Sequence, residues 1–124
     1  MEVKVYRCEA CGNIVEVLNE GPGALVCCGK EMVLISENTT EAAVEKHIPV
    51  VEKIEGGIKV TVGSVEHPMT EKHYIQWIEL ISENRVSRVH LSHEDKPVAE
   101  FMLNDNEKFY VRAYCNLHGL WKGE

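Results

Sequence analysis

The chain has 124 residues, 20 acidic against 13 basic side chains and a net charge of −7, a balance that repels nucleic acid and anionic lipid and excludes both as partners. No apolar run approaches the ~20 residues that a membrane-spanning helix needs, so no membrane partner is expected either. Five cysteines, an odd count with no secretory apolar stretch behind Met1-Glu2-Val3-Lys4, argue against a disulfide framework and for a reduced, cytoplasmic setting.

Four of those cysteines lie in the first quarter. Residues 3–7 alternate as a short strand and deliver Cys8-Glu9-Ala10-Cys11-Gly12-Asn13, where Gly12 supplies the positive φ that turns N–H groups towards sulfur. Residues 14–18 read as the return strand and 19–23 as a turn cluster, followed by Cys27-Cys28-Gly29. Adjacent cysteines point apart in an extended segment, so placing both on one ion should strain the backbone there. A segment of about 35 residues buries too little apolar surface to fold unaided. Cys8, Cys11, Cys27 and Cys28 therefore read as a Cys₄ site, and tetrahedral sulfur suits zinc and iron alike.

After an apolar run over 32–35, residues 36–40 mark a boundary, giving domains 1–37 and 38–124. Asn38 with Glu41 resembles a capping box for a short helix over 39–44. That helix should run out at Glu45-Lys46-His47-Ile48-Pro49, because Pro49 forces Ile48 to be extended, which leaves Glu45, Lys46 and His47 on an exposed loop. From residue 50 the pattern is β. A hairpin over 50–54 and 58–62 turns at Gly56-Gly57, and further strands follow at 73–81, 86–91, 98–103 and 108–114, which indicates an antiparallel β-sandwich. Alternation along the last strand puts Phe109, Val111, Ala113 and Cys115 on one face.

His47, His67 and His73 each stand beside a turn signal or at the mouth of an apolar run, and Cys115-Asn116-Leu117-His118-Gly119 is a compact turn able to aim sulfur and nitrogen at one ion. Four imidazoles and one thiolate are one ligand more than tetrahedral zinc uses, whereas iron takes a fifth and leaves a sixth position for a small reactant. His90, mid-strand, and His93, near a charged turn, read as structural or surface residues.

Together, Cys-x-x-Cys-Gly-Asn, Cys-Cys-Gly, Glu-Lys-His-x-Pro, Gly-Ser-Val-x-His-Pro-Met, Glu-Lys-His and Cys-Asn-x-His-Gly closely resemble the desulfoferrodoxins, the two-iron class of superoxide reductases, along essentially the whole chain. The resemblance implies a mainly β protein with two irons. A small desulforedoxin/rubredoxin-like domain would hold the first at Cys8, Cys11, Cys27 and Cys28. An immunoglobulin-like antiparallel β-sandwich would hold the second at His47, His67, His73 and His118, with Cys115 axial. It further implies that Glu45 is the carboxylate that ligates the oxidised iron and that Lys46 stands beside the open face. The implied reaction is the one-electron reduction of superoxide to hydrogen peroxide, fed by a rubredoxin-like donor, in a homodimer. No Gly-rich dinucleotide fingerprint is present, so the electron must come from outside the chain. The rival readings are a non-haem iron electron carrier without superoxide turnover and a zinc-stabilised binding module, separated by reaction with superoxide and by metal analysis.

Overall fold

The structure, a computed structural model, describes residues 1–38 and 44–124, with the backbone alone at Val44 and Glu45. It divides into two compact units, one spanning Glu2–Ser36 and the other Glu37–Glu124 with Met1. The helix expected over 39–44, with Glu41 of its capping box, falls outside the described residues apart from Val44.

In the first unit β1 (Val5–Arg7) is the centre of a three-stranded antiparallel sheet, flanked by β2 (Ile14–Glu16) and, further along the chain, by β5 (Val33–Leu34). Between those flanks, β3 (Val26–Cys27) and β4 (Lys30–Glu31) form a minimal hairpin. The turn after β1 closes through Gly12 N–H to the Cys8 carbonyl at 2.8 Å and Cys8 N–H to the Asn13 carbonyl at 2.8 Å, with Gly12 at φ +83°. The second turn puts Cys28 at φ +54°, a left-handed conformation that a side chain rarely adopts, followed by Gly29 at φ +73°. This is the strain that neighbouring cysteines were expected to carry.

The second unit is a two-layer sandwich. Its strands are β6 (Glu37–Asn38), β7 (Pro49–Ile54), β8 (Gly57–Val62), β9 (Ile75–Ser82), β10 (Val86–His90), β11 (Val98–Met102), β12 (Phe109–Cys115) and β13 (Gly119–Gly123), with the single helical turn α1 (Val44–His47) between β6 and β7. One sheet runs β10-β9-β12-β13-β6 and the other β11-β8-β7. The core lies between them, where Ile58, Val60, Val62, Ala99 and Phe101 of the smaller sheet meet Ile78, Leu80, Val111, Ala113 and Cys115 of the larger. The fold is mainly β, and the apolar alternation of β8, β9 and β12 is its cause: a period of two turns every second side chain into the same layer.

Three expectations are corrected. The chain does not end its last strand at 114, because residues 119–123 return as β13 alongside β12, with Gly119 at φ +87° making the turn opposite Cys115. Glu37 and Asn38 form β6, which pairs parallel to β13, so within the expected boundary of 36–40 the division falls after Ser36 and Glu37 goes with the second unit. His47 is on α1 and only 2% exposed, not on an exposed loop.

The larger sheet is also buried on its other face, where Glu79 is completely inaccessible. Its carboxylate accepts from Arg88 Nε and Arg112 Nε, each at 2.7 Å, and Arg112 also donates to Glu37 at 3.0 Å. Each buried charge thus has an opposite partner, the condition for tolerating it. Among the described residues no helix is long and apolar enough to cross a membrane.

Candidate metal centres

The first unit brings Cys8, Cys11, Cys27 and Cys28 together, the sulfurs lying within 4.8 Å of one another. Cys11 Sγ is 3.6 Å from Cys27 Sγ, and Cys27 Sγ is 3.9 Å from Cys28 Sγ. The turns that place them also supply donors: Cys11 N–H points at Cys8 Sγ at 3.4 Å, and Asn13 Nδ2 at Cys27 Sγ at 3.6 Å. The Cys11 N–H is the main reason that the Cys8 thiol is pulled down to about 6, whereas the hydrogen bond that the Cys28 thiol donates to the Cys11 sulfur is the main reason that Cys28 is pushed up to about 12. Four sulfurs at this spacing cannot all ionise beside one another; a cation among them removes that conflict. The donor set therefore fits a tetrahedral S₄ metal.

In the second unit His47 from α1, His67 and His73 from the β8–β9 connection, and Cys115 at the end of β12 converge, with one ligating atom of each within 4.8 Å of the others. His118, from the β12–β13 turn, joins them: its Nδ1 is 3.2 Å from His47 Nε2 and 3.8 Å from Cys115 Sγ. His67 shows how such a ligand is prepared. Its Nδ1 lies 2.7 Å from the Pro68 carbonyl and must donate there, which leaves Nε2 as a bare lone pair directed at His47 Nε2, 3.2 Å away. Burial, the largest cause, lowers its pKa to about 4, so the ring is neutral at pH 7. His73 is lowered too, by burial first and then by the charges of His118, His47 and Lys46. Its Nε2 is buried with no hydrogen-bond partner among the described residues. An orphaned ring nitrogen there is costly, and a metal that accepts its lone pair removes the cost. Burial raises the Cys115 thiol, opposed by the N–H groups of Leu117 and His118.

Residues 39–124 match the desulfoferrodoxin family and residues 1–35 the desulfoferrodoxin N-terminal domain. The chain belongs to the desulfoferrodoxin family. It is 61% identical to a desulfoferrodoxin of Syntrophotalea carbinolica, over 99% of this chain and 97% of that one, and 53% identical to one of Nitratidesulfovibrio vulgaris, over 99% and 97%. It is 37% identical to a superoxide reductase of Pyrococcus abyssi, over 64% of this chain and 85% of that one. Among solved structures, the superoxide reductase from Treponema pallidum superposes with a TM-score of 0.79 at 30% identity, covering 99% of this chain and 98% of the other.

The two donor sets are those of a two-iron desulfoferrodoxin, one Cys₄ and one His₄Cys. All nine expected ligands are brought into one or the other. Lys46 is exposed, and the Glu45 side chain lies outside what the structure describes. His90 is exposed and His93 half-buried, and neither belongs to the cluster. Sequence reasoning passed over Trp121. This residue is 1% exposed, stacks on the His47 ring at 4.7 Å between centroids, and donates its Nε1–H to the His118 carbonyl at 3.1 Å. One side chain thus holds two ligands, and its position three residues after His118 was the available signal. Asn38 Nδ2 supports the same carbonyl at 3.5 Å.

Proposed function

We propose that the protein is a superoxide reductase that converts superoxide to hydrogen peroxide at the His₄Cys centre and is re-reduced by an external donor such as rubredoxin. The convergence of His118 Nδ1 with the His47, His67, His73 and Cys115 donors carries the reading, because five ligands exceed a closed tetrahedral site and suit an iron with one position left over. Ferrous iron held there supplies the one electron that, with two protons, turns superoxide into hydrogen peroxide.

The chain's own residues do the rest. His47, His67 and Cys115 are buried and His73 half-buried, whereas His118 is exposed, so the cluster is closed by the sandwich on one side and open to solvent on the other. Water on the open side provides protons. Lys46, exposed and next to His47, is the local cation that draws an anion to a protein of charge −7, and its field reaches His73. Glu45, its neighbour, is assigned as the carboxylate that ligates the oxidised metal. Cys115 sits in the apolar core, where burial raises its thiol and the N–H groups of Leu117 and His118 offset part of that rise.

The Glu2–Ser36 unit is the desulforedoxin-like iron domain and the unit from Glu37 the superoxide reductase domain, one residue before the expected division. The first unit exposes Leu18, Val26, Val33 and Leu34, an apolar surface that supports pairing with a second copy as a homodimer. Five unbridged thiols support a reducing, cytoplasmic setting.

The test is stoichiometric. Protein loaded with two irons, with only the His₄Cys iron ferrous, should consume one superoxide per His₄Cys iron and yield one hydrogen peroxide for each, then stop until a donor is added. Continued superoxide loss without a donor, with oxygen evolved, would mean dismutation and defeat the reading. A reduced protein that superoxide does not oxidise would leave only an electron carrier.

A further inference from the structure

His73 differs from the other ligands in how it is held. It lies between two strands, in the connection that ends at β9, and among the described residues its backbone bonds Thr70, with His73 N–H to the Thr70 carbonyl at 3.2 Å, Thr70 N–H to the His73 carbonyl at 2.9 Å and the Thr70 hydroxyl within 3.2 Å of both His73 groups. That bridge ties His73 to its own loop and not to the rest of the site. The link to the site comes from Asn116, which follows Cys115 directly. Its side-chain Nδ2 donates to the Lys72 carbonyl at 3.0 Å, and its Oδ1 accepts from the Tyr74 N–H at 3.0 Å. Its own N–H donates to the Tyr74 carbonyl at 3.2 Å. The two side-chain bonds grip the peptide groups on either side of His73.

We propose that Asn116 is a positioning residue that locks His73 to the Cys115–His118 turn, so that this imidazole is held to the thiolate by one amide. The residue type suits the task. A carboxamide offers a donor and an acceptor side by side on one planar group without needing a change of protonation, and the two groups it must satisfy, a carbonyl at 72 and an N–H at 74, are of opposite kinds. Alanine removes both bonds. Aspartate keeps the acceptor for Tyr74 N–H but sets a second oxygen against the Lys72 carbonyl, so it retains half the grip and opposes the other half. Groups that hold a metal ligand in place without touching the metal are worth about 10–100-fold in metal affinity. The inference rests on the reading of this cluster as the iron site.

The test uses the two-iron protein and its Asn116→Ala and Asn116→Asp variants. Ferrous iron release from each centre to a chelator is followed by absorbance, and exchange of the Tyr74 amide by NMR of the zinc-substituted protein. Asn116→Ala should release iron from the His₄Cys centre about 10–100-fold faster and exchange Tyr74 N–H faster, with Cys₄ release unchanged; Asn116→Asp should fall between Ala and the native protein in both. Should Asn116→Ala fail to fold, Asn116→Asp decides alone: faster His₄Cys release supports the proposal and native release overturns it. Native release from Asn116→Ala overturns it as well, as does equal acceleration at both centres, which would mark general loosening. A native protein that holds no second iron would overturn the site reading itself.

Discussion

Acid should destabilise the metal-free sandwich through His67. The residue is 1% exposed, and burial lowers its pKa from 6.5 to about 4, with the charges of His47, His73 and His118 acting in the same direction and the Pro68 carbonyl against it. In the unfolded chain the imidazole takes up a proton at about pH 6.5, whereas the folded one refuses it until about pH 4. The contribution is therefore whole above about pH 6.5 and is lost as the pH falls through that interval. At about 1.36 kcal/mol per unit, the loss from this one ring is on the order of 3 kcal/mol near pH 4. Urea unfolding of the metal-free protein at several pH values, followed by tryptophan fluorescence, measures it directly. His67→Gln cannot titrate, so its stability should fall less steeply over the same interval by about that amount, with the urea m-value unchanged. Equal pH slopes for the variant and the native protein would refute the assignment of His67 as a buried neutral ring.

Lys46→Ala should slow the second-order reaction with superoxide by about tenfold, since charges roughly 6 Å apart attract by about 0.7 to 2.8 kcal/mol between dielectric constants of 80 and 20; pulse-generated superoxide at two salt concentrations checks this, and an unchanged rate and salt slope would return Lys46 to an ordinary surface lysine. Cys115→Ser should abolish the sulfur-to-iron charge-transfer band of the His₄Cys centre and its peroxide-forming turnover while the Cys₄ absorbance stays; a variant that bound iron and turned over normally would remove sulfur from the mechanism. Trp121→Phe keeps a ring against His47 but loses the bond to the His118 carbonyl, and should cost about 1–2 kcal/mol. For a domain of this size that is a fall of roughly 4–16 °C in melting temperature, and an unshifted transition would show that the bond contributes nothing.

The strands and the ligands were legible for a common reason, that each is written in local spacing. Alternation over 98–103 and 108–114 becomes β11 and β12 within one or two residues, and the face shared by Val111, Ala113 and Cys115 is a face of the core. What was not legible depends on partners distant in sequence. The two residues of β6 have no pattern of their own and become a strand because β13 lies beside them. The five residues of β13 begin and end on glycine, and no strand was expected there. His47 follows Glu45 and Lys46, and local polarity argued for exposure; stacking by Trp121, 74 positions away, buries it. The paired charges of Glu79 and Arg112 are likewise a matter of register, since β9 and β12 place them opposite one another.

The two centres differ in what the chain must do before a metal arrives. The Cys₄ unit has strands of two or three residues and leaves most of its larger apolar side chains, Leu18 and Val26 foremost, in contact with solvent. So little burial cannot offset the entropy of ordering the segment, and its turns depend on the ion that the four sulfurs share. The His₄Cys cluster stands on a core whose central residues are fully buried, and its rings are aimed by groups that are not ligands: the Pro68 carbonyl fixes the His67 tautomer, and Trp121 braces His47 and His118. Such a site is formed by the sandwich and receives its ion afterwards. That order suits a reactive centre, because ligands held by their own scaffold need not rearrange when the metal changes charge, whereas ligands organised by the metal alone would follow it.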